Sequence, residues 1–389
     1  MRYKQNYPQF DLGPKKKTYT TEQLPVLYEE WEYRAKQILA AGPFDYIAGG
    51  AGSEDTMREN RKAFLPWRIQ PQMLKDVTKR DLTVTLLGQR FPSPFFLAPI
   101  GLQGVAHPDA ELGTARAASD LRVPFIISTV SSRSIEDIAN VMGNSPRWFQ
   151  LYCPNDPDIT ASLLQRAEKA GCTVIVVTVD FPAYAWRPRN IRNNYFPFTT
   201  GEGIANFISD PVFRAKLKQP PEKDMQAAIS FFLRIFSNPD FIWNDLVFLR
   251  KHTKLPILLK GILHPKDAEM ALRYGVDGII VSNHGGRQLD GAIAALDALP
   301  TVCDIVRGRI PVLMDSGIRG GADVIKALAL GATAVLLGRP YIYGLAVAGE
   351  KGVKQVLTNL LSDIDVTMVN SGRKSISEID RSLLERVSI

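Results

Sequence analysis

The sequence has little cysteine and little histidine, three and four residues respectively among 389. Cys153, Cys172 and Cys303 are scattered along the chain and form no CxxC pair. This spacing excludes a disulfide scaffold and does not provide a metal site built from cysteine and histidine. We therefore expect no bound metal and a reducing compartment, the cytoplasm.

Long apolar segments are also absent. No run approaches the roughly 18 residues that a helix needs to span a bilayer, and the residues before position 8 lack the apolar core of a secretory signal. The final residues, 386–389, are not a peroxisomal address of the Ser-Lys-Leu type. Since 45% of the residues are apolar and 22% are charged, we expect a folded globular protein without a membrane partner.

The charge balance is positive, with 47 Lys and Arg against 40 Asp and Glu, which gives a net charge of +7. A basic chain can bind nucleic acid, but the basic run at 15–17 has no aromatic alternation and no further basic clusters around it. We therefore expect no nucleic-acid partner and assign the excess charge to small anions held inside the protein.

From residue 95 onward the sequence repeats one pattern. A short apolar, β-branched run ends in a glycine or polar residue, and a stretch with helical periodicity follows it. Runs that are apolar throughout are typical of parallel strands buried on both faces. The predicted strands are 95–101, 123–129, 147–152, 173–180, 256–262, 278–283, 311–317 and 334–340. Eight strand–helix units predict an α/β fold of the (β/α)8 TIM barrel type.

The residues before the repeat have a different character. We expect residues 1–90 to form an N-terminal helical arm and cap that packs on the barrel of residues 91–389. Thr20 with Gln23 fits a capping box that starts a helix, and Gly42-Pro43 is predicted to end that helix near Ala41.

One gap between predicted strands is much longer than the others. The excess, about residues 189–237, follows the fourth strand and would lie at the catalytic face of a barrel. Its aromatic residues and an amphipathic stretch near its end predict an ordered structure. This segment is called the lid below.

The polar residues of the predicted strands gather at their carboxyl ends, which share one mouth in a barrel. The richest stretch is 282–290, where His284 follows a strand directly and Arg287 lies three positions later. Histidine titrates near neutral pH and suits a general base, and a planar guanidinium matches a carboxylate. This combination predicts proton removal from a small carboxylate substrate.

Asp180 and Arg187 lie at the end of the fourth strand and at the start of the lid. Asp180 is either a helix cap or a carboxylate that orients His284 and stabilises its imidazolium. Arg187 is either a second group for the substrate carboxylate or a surface residue at the base of the lid.

The last two strands are followed by glycine-rich turns, 315–321 and 338–340. Barrels bind phosphate at this position through backbone N–H groups at the N-terminus of a short helix. Arg319 and Arg339 would add positive charge there. Lys260, in an apolar strand, needs an anionic partner.

These stretches together resemble the FMN-dependent L-2-hydroxy acid oxidases, in order and register from about Tyr46 to the last helix. The matching motifs are Ser282-Asn283-His284-Gly285-Gly286-Arg287-Gln288, Gln150-Leu151-Tyr152, Thr178-Val179-Asp180, Leu259-Lys260-Gly261, Asp315-Ser316-Gly317-Ile318-Arg319 and Gly338-Arg339-Pro340. The resemblance implies FMN as the cofactor, and a small 2-hydroxy carboxylate and O2 as the partners of the reaction. It also implies a homotetramer or a homo-octamer.

The resemblance also implies a role for each matching residue. His284 would be the base, assisted by Asp180 and Tyr152, and would remove either the hydroxyl proton as hydride leaves the substrate or the α-proton first. The residues implied to bind substrate are Tyr46, Tyr152, Arg187 and Arg287. Those implied to bind FMN are Pro99, Ile100, Gly101, Ser128, Gln150, Thr178, Lys260, Ser282, Asp315, Ser316, Gly317, Arg319, Gly338 and Arg339.

Two features resemble the lactate 2-monooxygenases within this family. Gly101 stands where many oxidases have alanine, and the long lid contains the stretches 186–189 and 210–215. The implied reaction converts L-lactate and O2 to acetate, CO2 and water. The alternatives are an L-lactate oxidase that releases pyruvate and hydrogen peroxide, or an oxidase of another 2-hydroxy acid.

Functions of other classes fit the residues less well. A phosphate-binding barrel of another chemistry would not need His284 together with Arg187 and Arg287. A nucleic-acid binder lacks a recognition motif, and a purely structural scaffold leaves the residues at the strand ends unexplained. A cytochrome-linked dehydrogenase of the same family would need an acceptor domain or a membrane segment.

Overall fold

A computed structural model describes residues 23–388 of the chain. The basic run at 15–17 and Thr20 of the predicted capping box lie outside the described residues. Within the described part of the chain, no helix has both the length and the apolar character that crossing a membrane requires.

Within residues 23–94, three helices, a short strand and a β-hairpin precede the barrel. They are α1 (Tyr28–Ile38), α2 (Ala41–Ala48), α3 (Asp55–Lys62), β1 (Trp67–Ile69), β2 (Val84–Leu86) and β3 (Gln89–Phe91). The predicted helix end at Gly42-Pro43 is wrong, because the chain is extended at Leu39 and Ala40 and the pair lies in the first turn of α2. Proline is tolerated there because its nitrogen has no hydrogen bond to make.

Eight parallel strands then close into a barrel, and all eight predicted strands are confirmed. They are β4 (Phe95–Leu97), β5 (Phe125–Ser128), β6 (Arg147–Leu151), β7 (Ile175–Thr178), β8 (Ile257–Ile262), β9 (Gly278–Val281), β10 (Val312–Met314) and β11 (Ala334–Leu337). Neighbours along the chain are neighbours in the sheet, and β11 pairs with β4 to close it. The fold is a (β/α)8 TIM barrel, as predicted.

Helices surround the barrel, and one further strand after it pairs with β1. The helices are α4 (Ala110–Leu121), α5 (Ile135–Met142), α6 (Pro157–Lys169), α7 (Pro188–Arg192), α8 (Ala205–Ile208), α9 (Pro211–Ala215), α10 (Met225–Phe236), α11 (Leu246–His252), α12 (Pro265–Arg273), α13 (Ala295–Val306), α14 (Gly321–Ala329) and α15 (Arg339–Asn370). The strand β12 (Leu384–Arg386) pairs antiparallel with β1.

The inside of the barrel is filled by apolar side chains and is closed at one end. Alternate strand residues such as Phe96, Trp148 and Leu313 form this interior cluster. Phe91 of the β2–β3 hairpin packs into it, with its ring centroid 4.9 Å from that of Phe96. Because this end is filled, the carboxyl ends of the strands are the open end, where barrels place their active sites.

The lid contains α7 to α10 and follows β7, the fourth strand of the barrel. Its buried aromatic residues include Phe198, Phe207, Phe213 and Phe232. The Asn206 side chain donates to the carbonyl oxygens of Ser128 and Thr129, at 3.1 and 3.0 Å. The lid is therefore an ordered layer that is bonded to the end of β5, next to the mouth of the barrel.

Candidate active site

A cavity of about 490 Å³ lies at the carboxyl ends of the strands, a size typical of small-molecule sites. The predicted site residues that line it are Tyr46, Pro99, Ile100, Gly101, Ser128, Tyr152, Arg187, Lys260, His284, Arg287, Asp315, Ser316, Gly317, Arg319, Gly338 and Arg339. Gln150, Asp180 and Ser282 lie behind this wall and bond to Ser128, His284 and Lys260. Thr178 lines a smaller neighbouring cavity instead.

The turn after β9 brings His284 to the cavity in an unusual backbone conformation. His284, Gly285 and Gly286 all have positive φ angles, of 59°, 66° and 74°. Such a conformation costs energy at a residue with a side chain, and it persists here because the surroundings fix it. The Asn283 side chain accepts from the Gly286 N–H at 3.0 Å, and the Ser282 hydroxyl accepts from the His284 N–H at 3.0 Å.

The His284 imidazole is paired with a carboxylate. Its Nδ1 lies 2.8 Å from Asp180 Oδ1, and Tyr152 Oη lies 3.4 Å from its Nε2. Burial lowers the pKa of His284 below its ordinary value, although the Asp180 charge opposes this. Burial would raise the pKa of Asp180, but the charge and hydrogen bond of His284 hold it below its ordinary value. A neutral imidazole that donates from Nδ1 leaves an accepting Nε2 on the Tyr152 side.

Two guanidinium groups share the cavity wall with His284. Arg187 donates from Nε to the Arg287 carbonyl and from Nη2 to Gln288 Oε1, both at 2.9 Å. Arg287 donates from Nη1 to the carbonyl oxygens at the end of α2, those of Tyr46, Ile47 and Gly49. Burial, then the charges of Arg187 and Arg339, lower the pKa of Arg287 to about 9. It remains charged at neutral pH, so this wall favours an anion.

Lys260 has its anionic partner in the barrel. Its Nζ lies 3.0 Å from Asp315 Oδ2 and 2.9 Å from Ser282 Oγ. Burial alone would lower the pKa of Lys260, but the charges of Asp315 and Asp180 raise it. The side chain is therefore a fixed buried cation on the cavity wall.

The two glycine-rich turns differ in their free backbone donors. The N–H groups of Arg319 and Gly320 donate to Asp323 Oδ2, at 2.9 and 3.3 Å, and that of Gly321 donates to an Asp363 oxygen. Neither Gly338 N–H nor Arg339 N–H has a partner among the described residues. The N–H groups of residues 316–318 in the first turn likewise have no partner among the described residues. The predicted backbone cradle is thus available at 316–318 and at the N-terminus of α15, and Arg319 can add its side chain.

The Arg339 side chain bonds to backbone rather than facing the cavity with its donors. It donates to the carbonyl oxygens of Ile47, Gly285 and Gly49, at 3.2, 2.9 and 3.1 Å. The carbonyl groups at a helix C-terminus lack intrahelical partners and carry partial negative charge, which explains this arrangement at the end of α2. Its charge can still favour an anion, but its hydrogen bonds hold the helix.

The residues present fit FMN. Two buried donors, Gln150 Nε2 and Thr178 Oγ1, have no partner among the described residues, as expected for groups that bind a ring with polar edges. Thr178 pairs with Lys260 across β7 and β8, so the two side chains lie on the same face of the sheet. Together with Gln150 they would hold the flavin ring. Arg319 and the first residues of α15 would hold the phosphate.

Sequence reasoning gave no role to two residues that organise this site. Gln288 accepts from Arg187 and donates from Nε2 to the Asp180 carbonyl at 3.0 Å, so it joins the lid base to the His284–Asp180 pair. Its position directly after Arg287 could have identified it as a site residue. Asn60 of α3 exchanges hydrogen bonds of 2.8 and 2.7 Å with Asn283, and no local pattern marked it.

Comparison with known proteins gives concordant matches. The profile of the FMN-dependent dehydrogenase family matches residues 35–386. An L-lactate oxidase of Lysinibacillus sphaericus is 45% identical over 352 residues, 90% of each chain. A peroxisomal (S)-2-hydroxyacid oxidase of Arabidopsis thaliana is 44% identical over 357 residues, 92% of this chain and 95% of the relative. A crystal structure of mandelate oxidase superposes with a TM-score of 0.82 and 39% identity, covering 93% of this chain and 98% of that one.

Proposed function

The chain belongs to the FMN-dependent dehydrogenase family, and on that premise we propose that its substrate is L-lactate and its reaction an oxidative decarboxylation. FMN-dependent oxidation of a 2-hydroxy acid is the coarser activity that the relatives share. The observation that carries the proposal is the His284–Asp180 pair, 2.8 Å apart, beside two arginines in one cavity. A base next to paired cations suits a substrate with an oxidisable C–H and a carboxylate.

In the proposed reaction each residue acts on a defined part of the substrate. Arg187 and Arg287 bind the carboxylate, and Tyr46 and Tyr152 bind oxygen atoms of the substrate. His284 accepts a proton from the substrate at Nε2, and the Asp180 carboxylate stabilises the imidazolium that results. Bound FMN supplies the electron acceptor for conversion of the C2 alcohol to a carbonyl. Lys260 provides fixed positive charge beside the ring.

The monooxygenase outcome is supported by close packing of both Gly101 and the lid residue Gly203 against Val130. A Cβ atom at Gly101 would lie 2.3 Å from the Val130 carbonyl oxygen, and one at Gly203 of the lid would lie 3.1 Å from the same oxygen. The lid thus lies against the loop that the resemblance assigns to the flavin. A closed site would retain pyruvate and peroxide until they react to acetate, CO2 and water.

Product analysis tests the proposal. The purified protein is incubated with L-lactate under oxygen, and acetate, CO2, pyruvate and hydrogen peroxide are quantified. Acetate and CO2 in equal amounts are expected. Pyruvate and peroxide without acetate would instead support the alternative, an L-lactate oxidase like the relative from Lysinibacillus sphaericus. A protein that shows no flavin absorbance change with any 2-hydroxy acid would contradict both.

We also propose a cytoplasmic homotetramer or homo-octamer. The three cysteines are unpaired, which suits a reducing compartment. Apolar residues are exposed on α1, where Tyr33 is 63% and Ile38 57% exposed, and a neighbouring subunit would cover them. Fractionation of the source cells and light scattering of the purified protein test the two statements.

A further inference from the structure

Arg319 lies on the face of an aromatic ring that comes from outside the barrel. Its Cζ is 4.0 Å from the ring centroid of Tyr28, the first residue of α1. A guanidinium on a ring face is attracted by the negative charge of that face and is held in one plane. The contact fixes where the Arg319 charge lies without using its hydrogen-bond donors.

The donors of Arg319 remain largely available because the ring covers its face and not its edge. Nη1 donates to the Ile318 carbonyl at 2.9 Å, and the buried Nε has no partner among the described residues. A guanidinium has its five N–H bonds in its plane. Stacking on Tyr28 therefore leaves in-plane donors for an anion with several oxygens, such as a phosphate.

The Tyr28 ring is itself held in place by α15 and α1. Its centroid lies 5.7 Å from that of Tyr343, and Tyr343 Oη donates to Glu32 at 3.0 Å. Tyr343 belongs to α15, at whose start the N–H groups of Gly338 and Arg339 lack partners among the described residues. One aromatic cluster thus spans the Arg319 side chain and the helix that begins at the proposed phosphate site.

We propose that Tyr28 is a positioning residue for the phosphate of FMN and acts through Arg319. The inference rests on the proposed placement of the phosphate between Arg319 and the start of α15. Tyr28 increases the preference for a flavin that carries a phosphate over one that does not. It has no part in holding the flavin ring, which lies with Lys260, Gln150 and Thr178.

Competition between FMN and riboflavin on the holoenzyme tests the proposal. The protein is dialysed to equilibrium against both flavins, and the ratio of the two in the bound fraction is measured. Tyr28→Leu should lower the FMN-over-riboflavin preference about three- to thirtyfold, the range for loss of a partly buried cation–π contact. Tyr28→Phe keeps the ring and should stay within about twofold of the wild type.

Two controls separate positioning from structural damage. Arg381 and Arg386 lie 4.0 and 5.5 Å from the Trp67 ring centroid, away from the cavity. Trp67→Leu therefore removes cation–π contacts elsewhere in the protein and should leave the preference unchanged. An unchanged preference in Tyr28→Leu would overturn the proposal, as would an equal loss of both flavins. Arg319→Leu tests the premise: if it keeps the wild-type preference, the phosphate placement is wrong, whatever Tyr28 does.

Discussion

Replacement of Gly101 by alanine should change the products of the reaction, because the structure has no space for the added methyl group. The new Cβ would lie 2.3 Å from the Val130 carbonyl oxygen and 2.6 Å from Val130 Cγ2. Contacts below about 3 Å do not occur at real Cβ atoms. The Val130 carbonyl oxygen, at 2.3 Å, must therefore move away by about 0.7 Å or more.

The Val130 carbonyl group cannot move alone. It accepts a hydrogen bond from the Leu102 N–H at 2.8 Å. Gly203 of the lid packs on the same spot, where its own Cβ would meet Leu102 Cγ at 2.6 Å. Displacement of Val130 therefore strains the contact between the lid and the loop at 101–105. Overpacking of this kind costs about 1–3 kcal/mol of folding stability.

The assay measures how the substrate is divided between two sets of products. With L-lactate and oxygen, Gly101→Ala should release a larger fraction as pyruvate and peroxide than the wild type, because the lid closes less well. Gly203→Ala should act in the same direction through Leu102. Gly308→Ala is the matched control: its φ of +70° penalises alanine, but its Cβ would meet nothing within 4 Å.

The outcome that refutes this reasoning is specific. If Gly101→Ala lowers the melting temperature but leaves the product ratio at the wild-type value, the methyl group strains the fold without opening the site. Gly101 would then not determine the fate of the products. If Gly308→Ala changes the ratio as much as Gly101→Ala does, general destabilisation accounts for the effect.

Three further predictions concern ionisable groups. His284→Gln should slow flavin reduction by about 10²–10⁴-fold while FMN stays bound, as seen by stopped-flow absorbance, and near-normal reduction would refute its role as base. Asp180→Asn should lower kcat/KM and move the acidic limb of its pH profile to lower pH, since the Asp180 charge raises the pKa of His284; a limb that stays in place would argue against the pair. Burial raises the pKa of Glu111 to about 7 from 4.5. The folded chain therefore keeps a proton that the unfolded chain releases, so stability falls by up to about 3 kcal/mol as pH rises across that interval. Glu111→Gln should remove this loss in unfolding measurements at pH 5 and 8, and an unchanged difference between the two pH values would exclude Glu111 as its source.

The sequence was sufficient to predict the barrel because each strand is a separate, continuous apolar run. Such runs are typical of parallel strands that are buried on both faces. It failed at Gly42-Pro43, where the same two residues can end one helix or begin the next. That choice depends on how α2 packs, which local sequence does not contain. The ordered lid was predictable from its aromatic residues, although the contact between its Gly203 and Leu102 was not.

The residues that line the cavity were predictable where a polar side chain lies at or just after the end of an apolar strand, as at His284 and Lys260. The hydrogen-bond partners of those residues were harder to predict. Arg339 was expected to face a phosphate, yet its donors bind carbonyl groups at the end of α2. Contacts of this kind join segments that are far apart in the chain, and no spacing rule encodes them.

The end of α2 connects the two proposed anion sites of the cavity. Gly49 O accepts from Arg287 at 2.9 Å and from Arg339 at 3.1 Å. The guanidinium proposed to bind the substrate carboxylate and the one beside the proposed phosphate site therefore share an acceptor. A shift of α2 on binding at one side would be felt at the other, and such coupling is reciprocal. The factor by which bound FMN raises the affinity for a 2-hydroxy acid equals the factor by which the bound acid raises the affinity for FMN. The short helix outside the barrel would then make cofactor retention depend on substrate supply.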